Sequence, residues 1–431
     1  MKKLFSSLLA ISFLASCAVQ NPNNLVKQND VERIIRTLSA DDMQGRETFT
    51  PGIEKAALFI ENEFSKIGLR LLNGKSDFRQ TFTVTRVKPQ AFDVLIDGRV
   101  IQSSSAFVLT DKGSLNFSNT DQVDIINIKS GETFFERYRN ISQSEKPTLV
   151  LVDSSHADAF KRLREYNLRG RIVDELNENT AIVFVLGFNK ADTFSVKFEN
   201  KIESLSLSNV VGMLPGKSKE KELVVFSGHY DHLGMIKPVE GDSIANGADD
   251  DATGITAVIS LAKYYKALNN NERSLIFVAF TAEEIGGFGS HYFSEQLNPD
   301  DVVAMFNIEM IGKDSKFGKN SAFITGFDKS DFGAILQTNL ANTEFKFYAD
   351  PYPDQNLFYR SDNATLAALG VPAHTISTDQ IDTDKFYHTV NDEFETLDVS
   401  NILSTIRAIA LSSRSIVAGT DTPKRIPKLE K

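Results

Sequence analysis

The chain contains a single cysteine, Cys17, and no tryptophan. One thiol cannot close an intrachain disulfide, and a chain of 431 residues is long enough to bury a core without one. The lack of tryptophan carries no functional meaning. No GxSxG elbow, no thiol nucleophile in a catalytic setting and no phosphate-binding loop is present, so serine, cysteine and nucleotide chemistry have no support. Basic residues are also in short supply: 47 Lys and Arg stand against 57 Asp and Glu, a net charge of −10. With no basic patch in addition, nucleic acid is excluded as an expected partner. Low-complexity tracts are missing too, and the composition is that of an ordinary globular protein.

The one cysteine lies in an informative place. Met1-Lys2-Lys3 is a basic start, and Leu4 to Ser16 is largely apolar but too short to span a bilayer as a stable helix. The run closes with Leu14-Ala15-Ser16-Cys17, which resembles the lipobox of bacterial lipoproteins. That resemblance implies cleavage before Cys17 and lipidation of its thiol. Ala18 at the next position resembles the outer-membrane form of the sorting signal. The expectation is a signal peptide over residues 1–17, a polar tether over 18–30, and a lipid-anchored protein of the cell envelope, held at the outer membrane.

From residue 31 the pattern is that of a folded chain. Val31, Ile34, Ile35 and Leu38 have helical spacing. A second amphipathic helix follows Thr50-Pro51-Gly52, with Ala56, Phe59, Ile60, Phe64 and Ile67 on one face and Gly68 ending it. Residues 78–207 differ: short apolar or alternating runs such as TFTVTRV, FDVLI, LVLVD and AIVFVLGF, with one helical stretch near 157–166, predict an inserted β-rich domain. Its His156 reads as a surface residue. Beyond it, strands are predicted at 223–226, 274–280, 302–308, 322–325, 345–348 and 373–376. Helices are predicted at 255–268, 330–341, 364–369 and 399–418. Such alternation argues for an α/β fold: a mixed, mostly parallel central sheet flanked by helices, built from 31–77 and 208–418, with a tail over 419–431. Ligands in such folds bind at the carboxyl ends of the strands.

Charged groups gather at those ends. LVVFSGHYDH delivers His229 and Asp231 just past an apolar run, and GADDDATG places Asp250 in a glycine-flanked triplet before a helix. SLIFVAFTAEEIG brings Glu283 and Glu284, VVAMFNIEMIG brings Glu309, and FYHT supplies Tyr387 and His388. Any one of these is weak. Five acid or imidazole groups, each at a strand end or glycine-rich turn, point to metal, because unpaired charge there is costly. Imidazole and carboxylate are the usual donors for zinc where thiolates are lacking.

The order HYDH, GADDDATG, TAEEIG, NIEMIG and YHT resembles the dizinc aminopeptidase family typified by secreted bacterial leucine-type aminopeptidases. That family includes glutamate carboxypeptidase and glutaminyl cyclase relatives and has the zinc exopeptidase (phosphorylase/hydrolase-like) fold. The stretch LSADDMQGRETFTPGIEKAALFIENEFSKIGL adds to the resemblance, and Thr148 to Arg164 of the insert resembles a strand-helix unit of a protease-associated domain. The resemblance implies two zinc ions per chain. His229 and Glu309 would hold one, Glu284 and His388 the other, and Asp250 would bridge both. It also implies Glu283 as general base, Asp231 as the carboxylate that fixes the second nitrogen of His229, and Tyr387 as a support for the tetrahedral intermediate. A cis peptide is expected between Asp250 and Asp251. His232, His291 and His374 read as structural, and Asp249 and Asp251 as supporting groups. Arg360-Ser361-Asp362-Asn363 resembles a pocket-lining loop of the family, with Asn363 where histidine is usual. The expected activity is hydrolysis of N-terminal peptide bonds in peptide substrates. A glutaminyl cyclase-like enzyme, a dipeptidase or carboxypeptidase relative, and a non-catalytic binding protein are the alternatives.

Overall fold

The computed structural model describes residues 22–72 and 74–429. The body is organised by the strand Lys219–His229, which lies between the parallel strands Arg273–Phe280 and Val302–Ile308. Ala373–Ser377 continues the parallel order beyond Val302–Ile308, and Ser321–Ile324 and Lys346–Ala349 complete that edge. The central strands are buried along their full apolar length because both faces are covered. On one face Phe226, Phe277 and Phe306 stack in a row beneath the helices Gln28–Leu38, Pro51–Ile67, Gly254–Leu268 and Val399–Ser412. On the other, Val225, Ile276 and Met305 pack against the helices Phe288–Glu295 and Asn363–Ala368. The helix Phe288–Glu295 was not expected from the sequence, since its glycine and serine content masks the pattern.

Three boundaries differ from the sequence reading. The stretch expected as a tether is already folded in its described part, residues 22–30: Pro22–Leu25 is helical, Val26 is buried in the core, and its carbonyl accepts from Arg407. The expected signal segment and Cys17 lie outside the described residues. The insert, in turn, is not joined by a linker. Strands Arg79–Ile96 and Phe194–Leu214 pair antiparallel from Arg79↔Val210 to Ile96↔Phe194, so one ribbon runs from the main sheet into the insert. At its far end sits a four-stranded sheet in which 124–128, 148–152 and 182–186 are parallel, with helices Phe134–Ile141 and Ala157–Leu168 between them. The insert is therefore α/β in its own right. The last residues are not a free tail either: Ile426 is buried, and Arg425 donates to the carbonyls of Val302 and Pro299. Among the described residues no helix is long and apolar enough to cross a membrane.

Candidate metal centre

Parallel register sets the site. Ser227 pairs with Asn307 and His229 with Phe280, so His229 and Glu309 emerge at one level and Glu283 and Glu284 follow the neighbouring strand end. Close contact between these ends depends on glycine: a Cβ on Gly254 would lie 2.1 Å from the Ile308 carbonyl oxygen. The turn carrying the aspartate triplet has the expected cis bond between Asp250 and Asp251.

Asp250 is buried and its carboxylate faces two ways. Oδ1 lies 3.1 Å from His229 Nε2, and Oδ2 lies 3.3 Å from His388 Nε2. His388 Nε2 is also 3.2 Å from Glu284 Oε2. Glu309 joins His229 and Asp250 to make one compact donor group, and Glu284 with His232 and Asp250 makes a second. Zinc holds nitrogen and oxygen donors at about 2.0–2.1 Å, which separates tetrahedral ligand atoms by about 3.3 Å. The observed separations match that spacing. A further sign is that His229 Nε2 is buried without a hydrogen-bond partner. Electrostatics agree: burial opposes the charged form of His388, yet Asp250 and Glu284 together raise it to about 10. So many carboxylates in one buried place call for positive charge. The donor set therefore fits a pair of zinc ions sharing Asp250.

The surrounding side chains fix these donors. His229 Nδ1–H donates to the backbone carbonyl of Asp231 at 3.1 Å, which leaves the Nε2 lone pair facing Asp250. The carboxylate of Asp231 was expected in that role, but it lies 3.9 Å from Nδ1. It accepts instead from the amides of Glu283 and Glu284, and burial raises it to about 6. Asp251 accepts from the amides of His229, Gly254 and Met310, linking three motifs. Asp249 accepts from the amide of Gly312, and Lys313 spans Asp249 and Asp384. Asp251 and Asp249 thus support the site without donating to the centre.

Glu283 stands at the wall of the cleft, and burial with the nearby Glu309, Asp362 and Glu284 pushes its carboxyl well above the usual range. Tyr387 lines the same cleft, its ring stacked on His388 with centroids 3.8 Å apart. Burial and the surrounding carboxylates raise its hydroxyl above the ordinary tyrosine value. The cleft is open to solvent and offers about 610 Å³ including its mouth, with Met310, Phe323, Leu357 and Ile381 as its apolar lining. Arg360, Ser361 and Glu283 also border a second cleft, into which Asp174 of the insert reaches beside His291. Asn363 faces away, donating to the carbonyls of Phe358 and Ala373, so it occupies a packing position and not the pocket.

Three groups were missed in the sequence. Arg46 is fully buried and donates to the carbonyls of Leu38, Tyr230, Asn246, Gly247 and Asp250. Asp392 accepts from the amides of Asp249 and Asp250. His232 lies beside Glu284, not in a packing role. Only the GADDD and HYDH spacings carried any signal for these, because a buried group that serves backbone leaves no periodic trace.

The fold and the donor cluster together define a candidate metal centre at the strand ends of an α/β sheet. Residues 209–412, the segment that carries the site, match the model of peptidase family M28. "Aminopeptidase YwaD" of Bacillus subtilis is 24% identical over 187 residues, covering 40% of this chain and 39% of that protein. A "Probable zinc metalloprotease" of Pyrenophora teres is 29% identical over 116 residues, 26% of this chain and 24% of its own. The chain thus spans well under half the length of these relatives. An aminopeptidase from Aneurinibacillus sp. strain AM-1 has the same fold at a TM-score of 0.55, 17% identity and coverage of 94% and 96%.

Proposed function

We propose that the protein is an aminopeptidase that holds two zinc ions per chain and hydrolyses N-terminal peptide bonds. The observation that carries this reading is the Asp250 carboxylate, shared between His229 and His388 at zinc-like spacing. The zinc metalloprotease and aminopeptidase relatives support it. Bound there, the ions would lower the pKa of the attacking water and offset negative charge on the substrate carbonyl oxygen.

The chain's own residues do the rest. Glu283 faces the cleft with its raised carboxyl, suited to take a proton from the water and return it to the departing amine. Asp231 keeps Glu283 in place through its amide. Tyr387, whose hydroxyl stays protonated, is available to donate to the developing oxyanion. The apolar lining at Met310, Phe323, Leu357 and Ile381 suits the side chain of the N-terminal residue, and the cleft beyond Glu283 gives the departing chain a path. We further propose that Cys17 carries a lipid that anchors the protein in the cell envelope, on the strength of the Leu14-Ala15-Ser16-Cys17 motif.

The test is a panel of aminoacyl-anilides, dipeptides and N-terminal glutaminyl peptides, run with zinc counting. Two zinc ions and release of N-terminal residues are expected. Cyclisation of glutaminyl peptides without hydrolysis, or two ions with no turnover of any panel member, would overturn the aminopeptidase reading.

A further inference from the structure

His232 closes the HYDH segment and lies with Asp250 and Glu284 in a group of donors close enough to hold a metal, yet its spacing to those two carboxylates differs from that of His388. Its ring is fully buried, with Nδ1 2.8 Å from Glu284 Oε1 and 3.7 Å from Asp250 Oδ2. Donor atoms on one tetrahedral zinc lie about 3.3 Å apart. His388 meets that spacing to both carboxylates, at 3.3 and 3.2 Å. His232 is too close to one and too far from the other, and 2.8 Å is an ordinary hydrogen-bond length. An ionised carboxylate oxygen can only accept, so Nδ1 carries the hydrogen.

Glu284 is therefore divided between two imidazoles. Oε1 accepts from His232, while Oε2 faces His388. We infer that His232 is a positioning residue for the second metal ion: its Nδ1–H holds Glu284 so that Oε2 alone is presented beside Asp250 and His388. This rests on the two-ion reading above.

The surroundings leave the ring little freedom. A Cβ on Gly247 would lie 2.6 Å from its carbons, and the His388 ring meets it edge-on with centroids 5.8 Å apart. Nε2 is buried with no hydrogen-bond partner among the described residues, so the contact with Glu284 is the ring's one hydrogen bond. The preceding residue completes the hold, since the Asp231 carboxylate accepts from the Glu284 amide at 3.3 Å. Two consecutive residues thus grip the ligand at its backbone and at its side chain.

The experiment compares His232→Leu, His232→Gln and His232→Asn with wild type in zinc-buffered titrations, reading bound zinc per chain. Asparagine places an amide N–H where imidazole places Nδ1, whereas glutamine reaches further and misplaces it. The Leu and Gln variants should keep the first ion and bind the second about 10–100-fold more weakly, the usual cost of losing such a partner. The Asn variant should stay within about threefold of wild type. Wild-type affinity for the second ion in either the Leu or the Gln variant would overturn the inference. A folded Asn variant as weak as the Gln variant would overturn it in favour of direct ligation by His232. Failure of the two-ion reading is seen separately, as a wild type that takes up one ion, and takes the inference down with it.

Discussion

At the scale of single residues, the site separates groups that hold charge from groups that hold geometry. Glu283 belongs to neither set. It accepts no hydrogen bond from the motif backbones, it borders both clefts, and its carboxyl is raised by burial and by its acidic neighbours. Glu283→Gln should therefore keep the wild-type zinc content while kcat falls on the order of a hundredfold or more, as expected for loss of a general base. Metal analysis alongside kinetics checks this, and an active variant would sink the assignment. That these residues gather around Asp250 was legible in the sequence, because they follow apolar runs at strand ends, where a charged residue stands out. What Asp231, His232 and Arg46 do was not legible. Asp231 was expected to orient His229 through its carboxylate, and the structure gives that task to its carbonyl. Which atom of a residue does a job depends on backbone direction to a fraction of an ångström, and residue type does not encode that.

At the scale of elements, the apolar runs of the central strands predicted their positions to within a few residues, because strands covered on both faces have no polar positions to blur them. The insert was harder. Its parallel strands and short helices read as β-rich because the helix Phe134–Ile141 mixes aromatics with charge at no clear period. The turn Asp41–Arg46 was read as a mere connection, yet it brings in Arg46, which joins the end of one helix, one strand end and the metal-binding turn. Among the described residues no carboxylate pairs directly with that guanidinium; it is held by carbonyl oxygens. Arg46→Met would leave several buried carbonyls without a donor, at about 1–3 kcal/mol each before relaxation. A loss of about 4 kcal/mol or more is expected from denaturant unfolding in the presence of chelator. A loss under about 1 kcal/mol would show that water replaces the side chain and that the turn is not a structural joint.

At the scale of the whole molecule, stability against acid and the proposed attachment to a membrane can both be put to the test. His374 is buried on the strand Ala373–Ser377, donating from Nδ1 to the Thr325 carbonyl and accepting from Ser330 at Nε2. Burial lowers it to about 4. The unfolded chain takes up its proton near pH 6.5 and the folded chain only near pH 4. Its contribution is therefore whole above about pH 6.5 and drains away as the pH falls to about 4, by roughly 3 kcal/mol. His374→Asn should flatten the decline in unfolding free energy between about pH 7 and pH 5 relative to wild type; equal slopes would refute it. Attachment concerns the other end of the fold. Since helix begins at Pro22 and Val26 is already in the core, five Cα steps separate the proposed anchor at Cys17 from the folded body. At about 3.6 Å per step the reach is at most roughly 18 Å, far less than a tether to residue 30 would allow. The body would then rest close to the bilayer, with the start of helix Gln28–Leu38 and its neighbour Arg407 on the near side. Cys17→Ser should move the protein from the membrane fraction to the soluble one without altering kcat on a soluble peptide. Retention of the variant with the membranes would assign attachment to some other part of the surface.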